Sequence, residues 1–498
     1  MARSVSVAIV GAGFGGIAAA IFLKEKGFDD VVLLERGDRV GGVWRANTYP
    51  GLACDVPSHL YSFSFAPNAR WSRRYSPRED IQRYVEDVAR RYDVMRHVRF
   101  GQEVERAAFD EASGRWRLTT SAGDELEAEV VITACGQLQR ASIPAIPGIG
   151  EFRGPMFHSA HWDHSVDLDG RRVATIGTGA SAIQFVPALA ERVKHLTVLQ
   201  RSAPWVLFKW DTEYSEATKR LYERLPALQR AWRWAWWAWM ESIVPLFTRE
   251  PPRSARVTTR IYRGLAHLQR VIQLRGNRRL LRATKPTYDL GCKRICITSN
   301  WYPTLRRDNV ELVTERIRAI DADAVVTDDG RRHAADAIVF GTGFTATEFL
   351  APMEVAGRGG RTLADAWAHG AEAYLGISVP EFPNLFLLYG PNTNHGTGSA
   401  IALLEAQAHY AARAVELIGS GAAERLEVRR EVHDAFQEEL RGRLSETVWA
   451  GCTSWYVNSE GRVTNNWPGS QREYRDRTRE LVLSDYLTEA PERAPATA

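Results

Sequence analysis

Gly11, Gly13 and Gly16 stand in VSVAIVGAGFGGIAAAIFLKEKG, between a β-branched run and an Ala/Ile/Leu run. This is G-x-G-x-x-G at a strand-to-helix turn. The first glycine permits the tight turn, the second lets the backbone approach a pyrophosphate, and the third lets helix pack on strand. The helix N-terminus then offers free N–H groups and a positive dipole end to phosphates. A second strand-forming run, DVVLLER, ends in Glu35, nineteen residues after Gly16. A carboxylate there can accept from ribose hydroxyls. The pattern recurs in RRVATIGTGASAIQFVPALAERVKHLTVLQRS, with Gly177, Gly179 and Ala182 in the glycine places. The strand that follows ends in Arg201 and Ser202 instead of an acid. A carboxylate would repel a 2′-phosphate, whereas a guanidinium can hold it bidentately. The first turn, with Gly11, Gly13, Gly15, Gly16 and Glu35, therefore reads as an FAD site. The second, with Thr178, Gly179, Ser181, Ala182, Gln184, Arg201 and Ser202, reads as an NADPH site.

These turns need two α/β domains to hold them, and 498 residues suffice for two or three domains. The expected fold class is α/β, with two Rossmann-like dinucleotide-binding domains, the second inserted into the first, and a helical subdomain. ADAIVFGTGF (335–344) reads as a strand returning to the FAD sheet. The expected division is 1–145 and 334–487 for FAD, and 146–333 for NADPH with a helical insertion at about 212–285. The Pro/Ala-rich tail 488–498 reads as disordered. Composition is ordinary for a soluble globular chain, with 45% hydrophobic and 25% charged residues. Net charge is only +4, and Arg is spread along the chain, which argues against a nucleic-acid partner. The strand begins near the N-terminus with no signal-peptide pattern, so a cytoplasmic location is expected. Five cysteines without a CxxC pair read as free thiols. RAWRWAWWAWMESIVPLF (230–247) carries five of the sixteen Trp. It is too short and too charged to span a membrane. A core or domain-interface helix is expected, with a substrate-channel wall or a peripheral membrane contact as the alternatives. Oligomeric state stays open between monomer and homodimer.

FRGPMFHSAHWD (152–163) fits F-x-G-x-x-x-H-x-x-x-W-[P/D] through Phe152, Gly154, His158, Trp162 and Asp163. GGVWRANTYPGLACD (41–55) fits [A/G]-G-x-W-x4-[F/Y]-P-[G/M]-x3-D. On these two motifs the chain closely resembles the type I Baeyer–Villiger monooxygenases. The resemblance implies NADPH reducing FAD, then a C4a-peroxyflavin that inserts oxygen next to a ketone carbonyl to give an ester or lactone. Its partners would be a small-molecule ketone and O2, with no metal. It implies that Arg294 is the active-site arginine, that Asp55 orients it, and that Lys293 meets the 2′-phosphate with Arg201. It places Gly42, Val43, Trp44 and Tyr61 on the flavin and Val104 on the adenine. It makes 152–163 a linker between domains, with His158 coupling domain movement to the cofactor cycle. His395 stands where the family often has an apolar residue, which leaves the contacts at that end of the flavin open. The alternatives are a flavin N- or S-oxygenating enzyme and a non-oxygenating NADPH-dependent reductase. H-x-x-H-x-x-H through His158, His161 and His164 offers metal-ligand spacing but no carboxylate or Cys partner.

Overall fold

The computed structural model describes residues 3–249 and 253–489. In the first sheet the strand Arg3–Val10 lies between Val31–Glu35 and Glu125–Thr133, parallel to both. Val98–Phe100 extends one side. Antiparallel Arg115–Thr120 and Val104–Asp110 extend the other. Late chain returns here as Glu354–Ala356 beside Val104–Asp110 and Leu385–Leu387 beside Glu125–Thr133. Val31–Glu35 is buried at every position, as a parallel strand covered on both faces must be. The helix Phe14–Glu25 covers one face, and its two glycines set its depth. A Cβ on Gly16 would lie 1.9 Å from the Gly11 carbonyl oxygen, and one on Gly15 would meet Leu404 of the helix Ala400–Gly419.

The second sheet is wholly parallel, in the order Val310–Val313, His195–Leu199, Arg172–Ile176, Ala337–Phe340, Met156–His158. The helix Ala182–Ala190 buries Ile183, Phe185, Val186 and Leu189 in the core on this sheet. Ala337–Phe340 thus corrects the expected return to the FAD sheet at 334. It fills the slot between Arg172–Ile176 and Met156–His158, pairing parallel with both and buried at every position, with Asp336 paired to Arg172 at its start at 2.6 Å. The Gly177 and Gly341 backbones also touch there, so that a Cβ on Gly177 would sit 2.3 Å from the Gly341 oxygen. The segment 152–163 is likewise less of a bridge than expected. Met156–His158 is the edge strand of the second sheet, followed by a single turn at Ser159–His161.

Helices Glu216–Arg224, Pro226–Ser242, Arg253–Leu274 and Arg278–Ala283 occupy the stretch read as a helical insertion. Of the core or domain-interface helix expected, the Trp-rich helix is the second, packing one side on the first domain. Trp236 and Trp237 pack on the core, but Trp232, Trp234 and Trp239 are exposed. No helix among the described residues is long and apolar enough to cross a membrane. Residues 488 and 489 end the strand Tyr486–Glu489, which pairs with Arg425–Val428. The rest of the expected tail lies outside the described residues.

The free-thiol reading also needs correction. Cys292 is disulfide-bonded to Cys452, 160 residues away, while Cys54, Cys135 and Cys296 are free. Nothing local in the sequence announces a partner at that distance. The Trp449 indole donates to the Gly291 oxygen beside the bridge, so the segment before Lys293 is tied twice to the C-terminal lobe. Thiol titration of the denatured, unreduced protein is expected to find three free thiols, rising to five after reduction. Five thiols before reduction would show the bridge does not form.

Candidate active site

One cavity of about 1620 Å³ runs between the two sheets and is lined by both glycine turns. On the first turn, Gly13 and Gly42 face each other. A Cβ on Gly42 would lie 3.1 Å from the Gly13 Cα, so the pair leaves an open backbone cradle. The Glu35 carboxylate accepts from the Ala12 and Gly37 N–H groups, both at 2.8 Å. It therefore fixes the turn itself, and each oxygen keeps a lone pair. Trp44 donates to the Tyr61 hydroxyl at 3.0 Å, and the two rings pack edge to face. Val43 and Val104 line the same stretch.

The second turn faces this one across the cavity. Thr178 donates to the Ser202 carbonyl at 3.1 Å. Gly179, Ser181 and Gln184 line the wall, while Ala182 is fully buried at the start of the helix behind them. Gln184 joins the two halves: it donates to the Ala53 carbonyl at 2.8 Å and accepts from the Tyr49 hydroxyl at 3.1 Å. Lys293 donates to Ser202 Oγ at 3.0 Å. Burial first, and then the Arg201 charge, push the Lys293 ammonium below its ordinary value. Two cations facing each other near a helix N-terminus form an electrostatic gap that an anion would fill.

Arg294, adjacent to Lys293, reaches the opposite wall. Its Nη2 and Nε donate to Asp55 Oδ2 at 2.7 and 3.2 Å. The Asp55 charge raises the guanidinium well above its ordinary value despite burial, so it stays charged in the cavity. Tyr389 and Tyr456 surround it and were not anticipated as site residues. They stand in FPNLFLLYGPNTN and GCTSWYVNSEGRVTNNWPG, far from Arg294 in the chain. Only the folded chain brings them to an arginine elsewhere in the sequence. Cys54 and Cys296, close by, are thiols pushed up to about 12 by burial, which removes them as nucleophiles at neutral pH.

The 152–163 motif lies at the cavity's edge. Phe152 packs under the second sheet. Gly154 is required because a Cβ would lie 2.4 Å from the Asp336 oxygen. Trp162 packs on Phe157 and Phe185, and Asp163 accepts from Ser165 to cap the turn. His158 accepts from the Ala160 N–H through Nδ1, and burial, with His161 adding to it, lowers it to about 4. The cross-domain contact comes from beyond the motif, where His164 hydrogen-bonds Thr48 at 2.8 Å. His395 is 6% exposed, lines the cavity, and its Nε2 has no hydrogen-bond partner. Burial pushes it down to about 3.

Two nucleotide turns on one cavity, with two cations at the second that have no carboxylate partner among the described residues and a carboxylate-paired arginine between them, define a protein built for two dinucleotides. Residues 4–225 match the family model for flavin-binding monooxygenase-like proteins. A Baeyer–Villiger monooxygenase of Streptomyces coelicolor is 42% identical over 497 residues, covering 99% of this chain and 94% of that one. One of Pseudomonas aeruginosa is 40% identical over 494 residues, covering 98% and 93%. Among solved structures, an oxidized steroid monooxygenase bound to NADP superimposes with a TM-score of 0.85 at 30% identity, covering 98% of this chain and all of that one. A closed cyclohexanone monooxygenase does so with a TM-score of 0.87 at 26% identity and the same coverage. The chain belongs to the Baeyer–Villiger monooxygenase family.

The buried histidines carry a pH signature. A histidine held far below its unfolded value of about 6.5 takes up a proton on unfolding. Stability therefore falls as pH drops from about 6.5 toward the folded value of about 3 for His395. His395→Gln removes one such group, and the slope of unfolding free energy against pH between about 4 and 6 should flatten by up to ~1.4 kcal/mol per pH unit. Denaturant melts across that range check this, and an unchanged slope would mean that His395 is not held neutral.

Proposed function

We propose that the chain is an NADPH-dependent Baeyer–Villiger monooxygenase that uses FAD and O2 to insert one oxygen atom beside a ketone carbonyl. The observation that carries this reading is the charged Arg294, bound to Asp55 at 2.7 Å, on a cavity shared by both nucleotide turns. When bound, FAD takes hydride from NADPH and activates oxygen for transfer to the ketone. The residues fit both groups: the Gly13–Gly42 cradle admits a pyrophosphate, and the Lys293–Arg201 gap admits a phosphate.

Within this reading Gly13 and Gly42 bring backbone against the FAD phosphates, while Gly11 makes the turn and Gly16 packs helix on strand. Glu35 uses its remaining lone pairs on ribose. Trp44 and Tyr61 line the ring system and Val104 the adenine. Thr178, Gly179 and Ser181 hold the NADPH pyrophosphate, while Arg201 and Lys293 hold its 2′-phosphate. Arg294 stabilises negative charge at the reacting centre, the largest protein contribution in chemistry of this type. Asp55 positions that guanidinium, and the neutral His158 stiffens the edge of the second sheet. The FAD part re-enters after Phe340 instead of at 334, since Ala337–Phe340 pairs in the second sheet.

Arg294→Ala is expected to keep FAD and oxidise NADPH, but to release hydrogen peroxide with no ester. Losing one such donor costs ~2.7–4 kcal/mol, enough to push product below uncoupled turnover. Arg294→Lys should rescue little, lacking the planar fork. Product formed per NADPH consumed, over acyclic, aryl and cyclic ketones, decides. Wild-type coupling in the alanine variant would assign the oxygenation to another cation. Sulfoxide from a thioether with no ester from any ketone would favour the heteroatom-oxygenating alternative.

Arg201→Ala should weaken NADPH by roughly tenfold to a hundredfold, the loss of a charged hydrogen bond of ~1.5–3 kcal/mol, with NADH little changed. Equal weakening of both coenzymes would show that Arg201 does not read the phosphate.

A further inference from the structure

Among the described residues, thirteen of the nineteen exposed large apolar side chains lie between Phe208 and Ile272, a clustering that scattered surface apolar residues do not produce. Two helices carry most of them, and both present large apolar side chains outward as well as inward, unlike an ordinary surface helix. On Arg253–Leu274, the exposed Val257, Ile261, Leu265, Leu268 and Ile272 follow helical spacing and form one outward stripe. The inward side mixes small and apolar residues, Ala255, Ala266 and Leu274, with polar ones: Gln269 and Gln273 donate to the Thr298 and Ser299 carbonyls at 2.9 and 3.0 Å, and Arg270 to that of Thr284. On Pro226–Ser242, Gln229 and Arg233 face inward, onto the Asn68, His59, Leu60 and Ser62 carbonyls. Trp232, Trp234 and Trp239 are left outside. The two helices meet where Tyr262 contacts Trp239.

The charge around this face decides its partner. Residues 253–285 contain ten Arg and Lys and no Asp or Glu, in a chain whose net charge is only +4. Arg260, Arg275 and Arg278 are exposed on or just past the second helix. A second copy of the chain would bring the same cations against themselves, which works against a symmetric dimer through this face. Exposed indoles on an apolar face rimmed by arginine fit the headgroup boundary of an anionic bilayer, where indole and guanidinium both find polar partners. We propose that the face formed by Pro226–Ser242 and Arg253–Leu274 docks the protein onto anionic lipid surfaces, lying on the bilayer without crossing it. This is independent of the reaction performed in the cavity.

The test uses the FAD-loaded enzyme with vesicles of phosphatidylcholine alone, or with about 30 mol % phosphatidylglycerol. Sedimentation at low salt should show partition onto the anionic vesicles roughly tenfold to a hundredfold stronger than onto neutral ones, reversed by high salt. Acyl chains carrying bromine should quench tryptophan emission of the unaltered protein only in the anionic vesicles. The double variant Trp234→Ser, Ile261→Ser should lose at least ~tenfold of the partition while its FAD content and NADPH oxidation stay unchanged. Three results would each overturn the proposal: no sedimentation with either vesicle, equal sedimentation with both, or no quenching. So would sedimentation velocity showing a dimer of the unaltered protein that the double variant abolishes, with vesicles unbound.

Discussion

The Arg294–Asp55 pair is the contact on which the geometry of the cavity depends. Asp55 ends the segment that leaves the first nucleotide turn, and Arg294 ends the segment that the disulfide and Trp449 tie to the C-terminal lobe. The ion pair therefore joins the wall built by the first sheet to a segment that arrives after the second nucleotide turn. Such a pair adds little net stability, and its consequence is geometric: two partly buried side chains on the cavity wall fix each other's direction. Gln184 reinforces the same span through Ala53 and Tyr49.

What could be read from the sequence was what is local. Each nucleotide turn is a strand, a glycine cluster and a helix within a short stretch of chain, and every physical requirement of that unit is met by residues inside it. The family motifs at 41–55 and 152–163 are equally compact, and Asp55, Trp44, Gly154 and His158 occupy sites whose geometry matches their types. The misreadings share the opposite property. AIVF is a buried β-branched strand running into a glycine, and either sheet could use it. Its partners are distant in sequence: it pairs with Arg172–Ile176 and Met156–His158, and Gly341 meets Gly177 there. Cys292 and Cys452 have no local relation at all. Tyr389 and Tyr456 became site residues only because the fold carries them to Arg294.

The Trp-rich helix shows a subtler limit. Its composition suggested burial because large apolar side chains are ordinarily inside. Part of the inward side is taken by Gln229 and Arg233, whose donors satisfy loop carbonyls beneath, alongside Trp236, Trp237 and Met240. With polar residues holding part of the inner face, helical periodicity sends Trp232, Trp234 and Trp239 outward. Hydrophobic content alone does not say which face of a helix is inside. The distribution of obligatory hydrogen-bond partners beneath it does.

The cations of the cavity divide along the same physical line. Arg294 is compensated by Asp55 in the protein itself, so its positive charge persists whatever else is bound. A compensated cation attracts a transient anion only moderately, and it can favour negative charge as it develops without trapping the product. Lys293 and Arg201 have no carboxylate and repel each other across the second turn. An uncompensated pair binds a phosphate dianion strongly and gains by relieving its own repulsion. On the proposed reading the two arrangements are not interchangeable: a carboxylate beside Lys293 would oppose a phosphate there, and without Asp55 the guanidinium would stay charged but lose the partner that aims it.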